Sequence, residues 1–228
     1  RGIDALGAFR SDAISLAVVY PLAGIVLAVA AGTNNLLPLV FPLASGFALV
    51  GPVAGVGLYM LSRRREREAA GAAETGARPA WGSIAVVGLM LLGVFVAWLV
   101  AAWWIYLATL GPQAPESVAA FVGDVFATGA GWTMIVLGMG VGFLFALAAL
   151  AIGVISFPLM VDRPVGPLTA IRTSAAAVAQ NPAAMAAWGL IVAAGLVIGS
   201  LPALLGLVIV IPLLGHATWH LYRRLIPG

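Results

Sequence analysis

The stretch GSIAVVGLMLLGVFVAWLVAAWWIYLA at residues 82–108 contains no charged side chain. A helix crosses the hydrocarbon core of a membrane with about 20 apolar residues, so this stretch is long enough to span a bilayer. The rest of the chain has the same character, because 63% of its 228 residues are hydrophobic and only 8% are charged. Roughly a quarter of a soluble domain is charged, so the composition predicts an all-α, polytopic membrane protein.

The composition also excludes several classes of protein. The chain has no cysteine, which excludes a disulfide scaffold, thiolate metal sites and thioether-linked haem. Its net charge is only +3, so we expect no nucleic-acid partner. All of the basic residues are arginine, and Ala and Gly are abundant. This usage is typical of a GC-rich bacterial genome and carries no information on mechanism.

Uncharged runs of membrane-spanning length occur six times along the chain. They cover residues 13–31, 36–61, 82–108, 131–161, 183–200 and 201–221. The last two belong to one apolar stretch that is too long for a single crossing, and we divide it at Gly199-Ser200-Leu201-Pro202. The sequence therefore predicts a bundle of six membrane helices.

The arginines predict the orientation of this bundle. All 11 lie before the first span or after the second, fourth and sixth spans, which is one side of a six-span bundle. The loops on the opposite side contain no Lys or Arg. By the positive-inside rule, both termini are predicted to be cytoplasmic, and the protein is predicted to lie in the bacterial inner membrane.

The chain contains an internal repeat. Residues 52–64, PVAGVGLYMLSRR, align without a gap on residues 212–224, PLLGHATWHLYRR, and share the frame P-x-x-G-x-x-x-aromatic-x-L-x-R-R. Farther upstream, Ile3, Leu6 and Phe9 match Val165, Leu168 and Ile171, a spacing that suits a short helix lying flat in the inner headgroup layer. Asn181-Pro182 is predicted to end the second of these helices and to begin the fifth span.

These features predict one membrane domain over residues 1–228. It would contain two parallel halves, residues 1–66 and 163–226, each an interfacial helix followed by a two-span hairpin, around a middle hairpin at residues 82–161. The loop after residue 109 is predicted to form another interfacial helix. Its apolar face would carry Phe121, Val122, Val125 and Phe126.

Glycines recur at four-residue spacing, which permits the close approach of two helices. The pairs are Gly51/Gly55, Gly138/Gly142 and Gly195/Gly199. We predict that they are helix-packing positions, either within this bundle or toward an oligomer or partner. The deeper tryptophans, Trp98 and Trp188, have two interpretations: helix and lipid packing, or contact with a pigment or quinone.

The predicted spans contain no Asp, Glu, Lys or Arg. Pumps, proton-coupled carriers and intramembrane hydrolases usually keep at least one ionisable group at membrane depth, so this absence argues against all three. The sequence also shows no Ser/His/Asp arrangement for nucleophilic catalysis. We therefore expect no enzymatic activity, although a passive pore for a neutral solute stays compatible with the sequence.

His216 and His220 are the histidines of the chain. Their spacing of four residues places both rings on one helix face, where they would supply two ligands to a divalent metal, or one of them an axial ligand to haem. The alternative is a pair of interfacial histidines that bond carbonyls, lipid phosphates or a partner chain. Two ligands do not complete a metal site, so no cofactor is predicted.

Arginine clusters follow the second and sixth spans. We predict that they bind anionic lipid headgroups on the cytoplasmic side, or dock a protein partner. The residues are Arg63, Arg64, Arg65, Arg67, Arg223 and Arg224. The motif Asp162-Arg163-Pro164 is predicted to be a solvated turn.

Several motifs resemble a family of uncharacterised bacterial integral membrane proteins. They are Asp162-Arg163-Pro164-Val-Gly, Ala170-Ile-Arg-Thr-Ser174, Asn181-Pro182 and the repeat motif that closes the chain. Some members of that family carry the label cytochrome c oxidase subunit I. A haem–copper core needs about half a dozen histidines, whereas this chain has two, so the resemblance implies association with such a complex and not catalysis.

Three functions are consistent with these observations. The first is a non-catalytic accessory subunit of a larger inner-membrane electron-transfer complex, respiratory or photosynthetic. The second is a small channel or carrier for a neutral or lipidic solute, with a cavity between the repeats lined by Asn34, Asn35, Ser45 or Ser156. The third is an assembly factor or lipid-binding scaffold.

Overall fold

The computed structural model describes residues 36–71, 78–201 and 206–226, together with the isolated positions 24 and 29. The described residues form helices and no strand, which confirms the predicted helical membrane bundle. Several predictions lie outside these residues. They are the span at 13–31, the interfacial segment at 3–9, and the two asparagines, Asn34 and Asn35.

Nine α-helices follow a short 3₁₀ turn at Leu37–Leu39 in the described part of the chain. The first four are α1 (Val40–Ala54), α2 (Val56–Ala69), α3 (Trp81–Thr109) and α4 (Val118–Ala127). The next three are α5 (Gly129–Gly153), α6 (Ser156–Asp162) and α7 (Pro167–Gln180). The last two are α8 (Pro182–Ser200) and α9 (Leu207–Leu225).

Three of the described helical stretches are long and apolar enough to cross a membrane by length and composition. They are Trp81–Thr109, Gly129–Asp162 and Pro182–Ser200. Helices α3 and α8 begin and end within one residue of the third and fifth predicted spans. The count of six spans stays a prediction.

Two predicted spans are each divided into two helices. The second span breaks at Gly55 and its helix continues beyond residue 61 to Ala69, and the fourth span breaks at Val154 and Ile155. At the second break, the backbone N–H of Ile155 donates to Ser174 Oγ on α7 at 3.2 Å. A side chain from a neighbouring helix therefore satisfies a buried backbone donor where the helix is interrupted.

Helix α6 lies at the centre of the packed end of the bundle. All of its residues from Ser156 to Val161 are buried, and it packs against α2, α3, α7 and α9. The start of α3 is tied to it, because Ala80 donates its backbone N–H to the Met160 carbonyl at 2.9 Å. The ends of several helices therefore converge on α6.

Helix α7 confirms the predicted helix before Asn181-Pro182, with Asn181 as its C-cap and Pro182 as the first residue of α8. The structure buries Ala170, Ser174 and Ala177 on the face that packs against the preceding helices, and it leaves Leu168 58% exposed. Small side chains on the buried face permit close helix packing. That this helix lies flat in the headgroup layer stays a prediction.

The predicted helix of the outer loop is also present, as α4. Ser117 caps it by accepting the backbone N–H of Ala120 at 3.1 Å. Val125 is buried and Phe121 packs against Tyr106 of α3, whereas Phe126 is exposed.

The middle hairpin is built by the packing of α3 against α5, with α1 alongside. Trp98 of α3 is 3% exposed, and its indole N–H donates to the Pro42 carbonyl at 3.1 Å. Its ring lies 5.8 Å from that of Phe145 on α5. These contacts are those of a packing tryptophan.

Candidate functional site

The first arginine of each repeat motif reaches the same carboxylate, Asp162. Arg63 Nε lies 3.7 Å from Asp162 Oδ1, and Arg223 Nη1 lies 3.1 Å from Asp162 Oδ2. The Tyr222 hydroxyl donates to Oδ2 at 2.8 Å. The prediction of a solvated turn is wrong for Asp162, whose side chain is 10% exposed, because it ends the buried helix α6 between α2 and α9.

Glu66 on α2 makes a second link to α9. Its Oε1 accepts the indole N–H of Trp219 at 2.8 Å, and its Oε2 accepts from Nε and Nη2 of Arg223, each at 2.8 Å. The Arg223 guanidinium also lies 5.1 Å from the centre of the Trp219 ring. We call Arg63, Glu66, Asp162, Trp219, Tyr222 and Arg223 the arginine–carboxylate junction.

Burial affects the ionisation of two members of this junction. Desolvation lowers the pKa of Arg63, and the nearby charge of Arg67 lowers it further, while Asp162 opposes the shift. Desolvation and the hydrogen bond to Asp162 raise the pKa of Tyr222. Because arginine and tyrosine ordinarily titrate far above neutrality, Arg63 is cationic and Tyr222 is neutral near pH 7.

Arg63 also caps helix α6. Its Nη1 donates to the Val161 carbonyl at 2.8 Å, so a cation faces the negative end of the helix. The junction thus joins three elements: α2 from the first repeat, α6 from the middle hairpin and α9 from the second repeat.

A second polar contact between α2 and α9 could not be predicted from sequence spacing. Ser62 Oγ lies 2.7 Å from His216 Nδ1, although 154 positions separate the two residues. The Ser62 hydroxyl also donates to the Leu58 carbonyl of its own helix at 3.0 Å. The serine–histidine contact thus joins the two repeat motifs side chain to side chain.

The two histidines have different surroundings. His216 contacts α2 through Ser62, whereas His220 is exposed. Within the described ranges, no group of three or more His, Cys, Asp or Glu side chains could hold a metal ion. In the described part of the chain, no cluster of such side chains would complete a metal site with His216 and His220.

The structure divides the predicted docking arginines into two sets. Arg63 and Arg223 lie in the junction, bound to carboxylates of the protein itself. The others are partly or fully exposed: Arg64, Arg65, Arg67 and Arg224. Arg64 pairs with Glu68 at 2.8 Å on the exposed face of α2, an ion pair that stabilises little.

Some of the predicted packing glycines lie against another helix, and others do not. A Cβ at Gly142 would lie 3.1 Å from Trp98, one at Gly195 would lie 3.3 Å from Val210, and one at Gly199 would lie 2.8 Å from Leu207. At Gly55, the nearest group is the Tyr59 side chain of the same segment, at 2.7 Å. At Gly51 and Gly138, no described atom lies within 4 Å.

Several glycines outside the predicted pairs also make close contacts, and two of these contacts join different helices through side chains. Gly46 lies against Phe95, and Gly215 lies against Leu58 where α9 crosses α2. The repeat contained a signal for Gly215, because it aligns with Gly55. A side chain at Gly215 would push the two repeat motifs apart.

Helices α2, α5, α7, α8 and α9 border an open recess of about 740 Å³, which we call the apolar cavity. Among its described lining residues, three side chains carry a nitrogen or oxygen atom: Tyr59, Trp188 and Thr218. Ser45 and Ser156 were predicted to line a cavity between the repeats. This prediction is wrong for both, because neither lines the apolar cavity. Both donate instead to nearby backbone carbonyls, those of Pro42 and Ile152.

Comparison with known protein families identifies a family for this chain. A family model described as "Predicted integral membrane protein (DUF2189)" matches residues 40–162, more than half of the chain. The match begins with α1 and ends at Asp162. Neither the curated proteins nor the solved structures gave a match.

Proposed function

Because the chain belongs to the DUF2189 family of predicted integral membrane proteins, we propose that it is a non-catalytic accessory subunit of a larger inner-membrane electron-transfer complex, respiratory or photosynthetic. The arginine–carboxylate junction is the observation that carries the structural, non-catalytic part of this proposal. Its two carboxylates and two arginines neutralise one another between helices of the same chain. Groups bound in this way hold helices together, which is the work of a structural subunit and not of a proton relay.

The membrane faces of the protein give further support. Only 6% of the most apolar stretch in Gly129–Asp162 is buried inside the protein. Large apolar side chains such as Val136, Met139 and Leu144 are therefore exposed along α5. In a complex, this face would pack against a partner subunit. The resemblance to proteins labelled as oxidase subunits supports the choice of an electron-transfer complex.

The proposal is tested by gentle extraction of native membranes, followed by a native gel and an absorption spectrum of the band that contains this chain. We expect a large coloured band with stoichiometric oxidase or reaction-centre subunits. Met139→Trp on α5 should weaken this comigration, whereas Val197→Trp on α8, at a similarly exposed position, should not. A small colourless band for the wild type would contradict the proposal.

The apolar cavity favours a second candidate function, a carrier for a lipidic solute. Its lining suits a hydrocarbon and offers few groups to a polar solute. The test is the movement of a fluorescent phospholipid across liposomes that contain the purified protein. Unchanged movement relative to protein-free liposomes would argue against this function.

A further inference from the structure

Two recesses lie on opposite sides of the end of α7. The apolar cavity is lined there by Val178, Ala179 and Pro182. A second recess, of about 360 Å³, opens on the other side. Its lining includes Arg172, Thr173, Gln180, Asn181, Leu225 and Ile226, and we call it the Arg172 recess.

Among the described residues, the linings of the two recesses meet where α7 ends and α8 begins. Asn181 lines the Arg172 recess and the next residue, Pro182, lines the apolar cavity. Consecutive Cα atoms are about 3.8 Å apart, so a single elongated molecule that passes this helix end can reach both.

The Arg172 recess offers donors to an anion. Arg172 and Gln180 are exposed, and neither side chain has a hydrogen bond or ion pair with another described residue. The Thr173 hydroxyl and the Asn181 amide already donate to backbone carbonyls of α7. A guanidinium and a primary amide are therefore left to bind an oxyanion such as a phosphate, beside the apolar wall of Leu225 and Ile226.

The apolar cavity suits a hydrocarbon chain. Its lining on α8 extends from Pro182 to Leu196, and a rise of 1.5 Å per residue makes this length about 21 Å. The Thr218 hydroxyl donates to the Leu214 carbonyl at 2.7 Å, so it is already bonded within α9. The cavity thus provides length and apolar contact without strong polar recognition.

We propose that one anionic membrane phospholipid occupies both recesses. Its phosphate binds Arg172 and Gln180, and one acyl chain passes Asn181 and lies in the apolar cavity along α8. We choose an anionic lipid because of charge complementarity: Arg172 lines the recess, and the end of α9 beside it bears the exposed Arg224.

This inference goes beyond the subunit role and names the lipid class for the second candidate function. It concerns binding, which does not depend on whether the lipid is moved. Binding and movement are therefore measured separately, so that failure of the lipid site and failure of the carrier function give different results.

The full chain, purified in mild detergent, is examined by native mass spectrometry with identification of the extracted lipid. We expect one retained anionic phospholipid per chain. Arg172→Gln should reduce its retention by a factor on the order of ten, since a charged hydrogen bond to phosphate is lost. Arg78→Gln changes an exposed arginine outside both recesses, so it is the matched control and should retain wild-type amounts.

A second variant tests the acyl-chain site independently of charge. Ala193→Phe places a ring in the apolar cavity and should reduce retention of phospholipid whatever its headgroup. Gel filtration and the thermal unfolding midpoint verify that each variant is folded. Wild-type protein without bound phospholipid, or equal retention by Arg172→Gln and Arg78→Gln, would overturn the proposal. Retained lipid without lipid movement in liposomes supports the site and contradicts only the carrier function.

Discussion

At the scale of single residues, Asp162 balances the charge of the junction. Its two oxygens face the Arg63 and Arg223 guanidinium groups and the Tyr222 hydroxyl. Asp162→Asn keeps the shape of the side chain and removes its charge, leaving Arg63 buried without this partner. Loss of one member of a buried ion pair costs about 3 kcal/mol, so we expect a clearly lower thermal unfolding midpoint in detergent.

The matched control for Asp162→Asn is Glu116→Gln, which removes one carboxylate charge from an exposed loop. It should leave the midpoint within the scatter of the wild type. Equal midpoints for the two variants would show that Asp162 does not have the role assigned to it.

Tyr222 leads to a prediction on pH dependence. Its pKa is raised in the folded protein, so its contribution is fully present below the unfolded value of about 10 and is lost as the pH rises above it. Tyr222→Phe should lower the free energy of unfolding by about 2 kcal/mol at neutral pH, because a hydrogen bond to a carboxylate is lost.

The difference between wild type and Tyr222→Phe should be constant from pH 7 to about 9 and should shrink above pH 10, since only the wild type has this phenol to ionise. Chemical denaturation in detergent at several pH values measures it. A difference that grows with alkaline pH would have the wrong sign for this account.

At the scale of helices, the break between α5 and α6 depends on α7. Ser174→Ala removes the acceptor of the Ile155 backbone N–H. A buried donor left without a partner costs about 1–3 kcal/mol, so the variant should unfold at a lower temperature. Thr173→Ala is the matched control, because that hydroxyl donates only to the Thr169 carbonyl of its own helix. Equal unfolding midpoints would refute the role of Ser174.

Hydropathy predicted the long helices well because it reports where apolar side chains are continuous. It placed the ends of α3 and α8 within one residue. It did not predict the break at Ile155, because the sequence there stays apolar while a hydrogen bond to Ser174 compensates for the interruption.

The junction shows a different limit of sequence reasoning. The repeat identified Arg63 and Arg223 as equivalent, but their charges alone suggested lipid binding. Arg63 pairs with Asp162 on α6, and Arg223 of α9 pairs with Glu66 on α2. Each pair joins two different helices, so only the folded arrangement brings the partners together. Burial of Asp162 likewise depends on α6, which hydropathy joined to the preceding helix.

At the scale of the whole molecule, the structure relates the two repeat motifs directly. Helices α2 and α9 pack together, with Gly215 against Leu58 and Ser62 bonded to His216. The junction lies just beyond these contacts, at one end of the bundle. That this end faces the cytoplasm stays a prediction of the positive-inside rule.

The central claim is that the two repeat motifs pack directly against each other and that polar residues of both hold them together. The given sequence contains no cysteine, so any disulfide that forms must come from an introduced pair of cysteines. Leu58→Cys combined with Gly215→Cys should form an intramolecular disulfide on mild oxidation in native membranes, because a Cβ at Gly215 would lie 2.9 Å from Leu58 Cβ and Leu58→Cys removes the branched side chain that would clash with it. The disulfide is measured as thiols lost in intact-protein mass spectrometry. Leu58→Cys combined with Thr133→Cys, on α5, should keep both thiols. Equal oxidation of the two pairs would contradict the packing of the repeats on which this account depends.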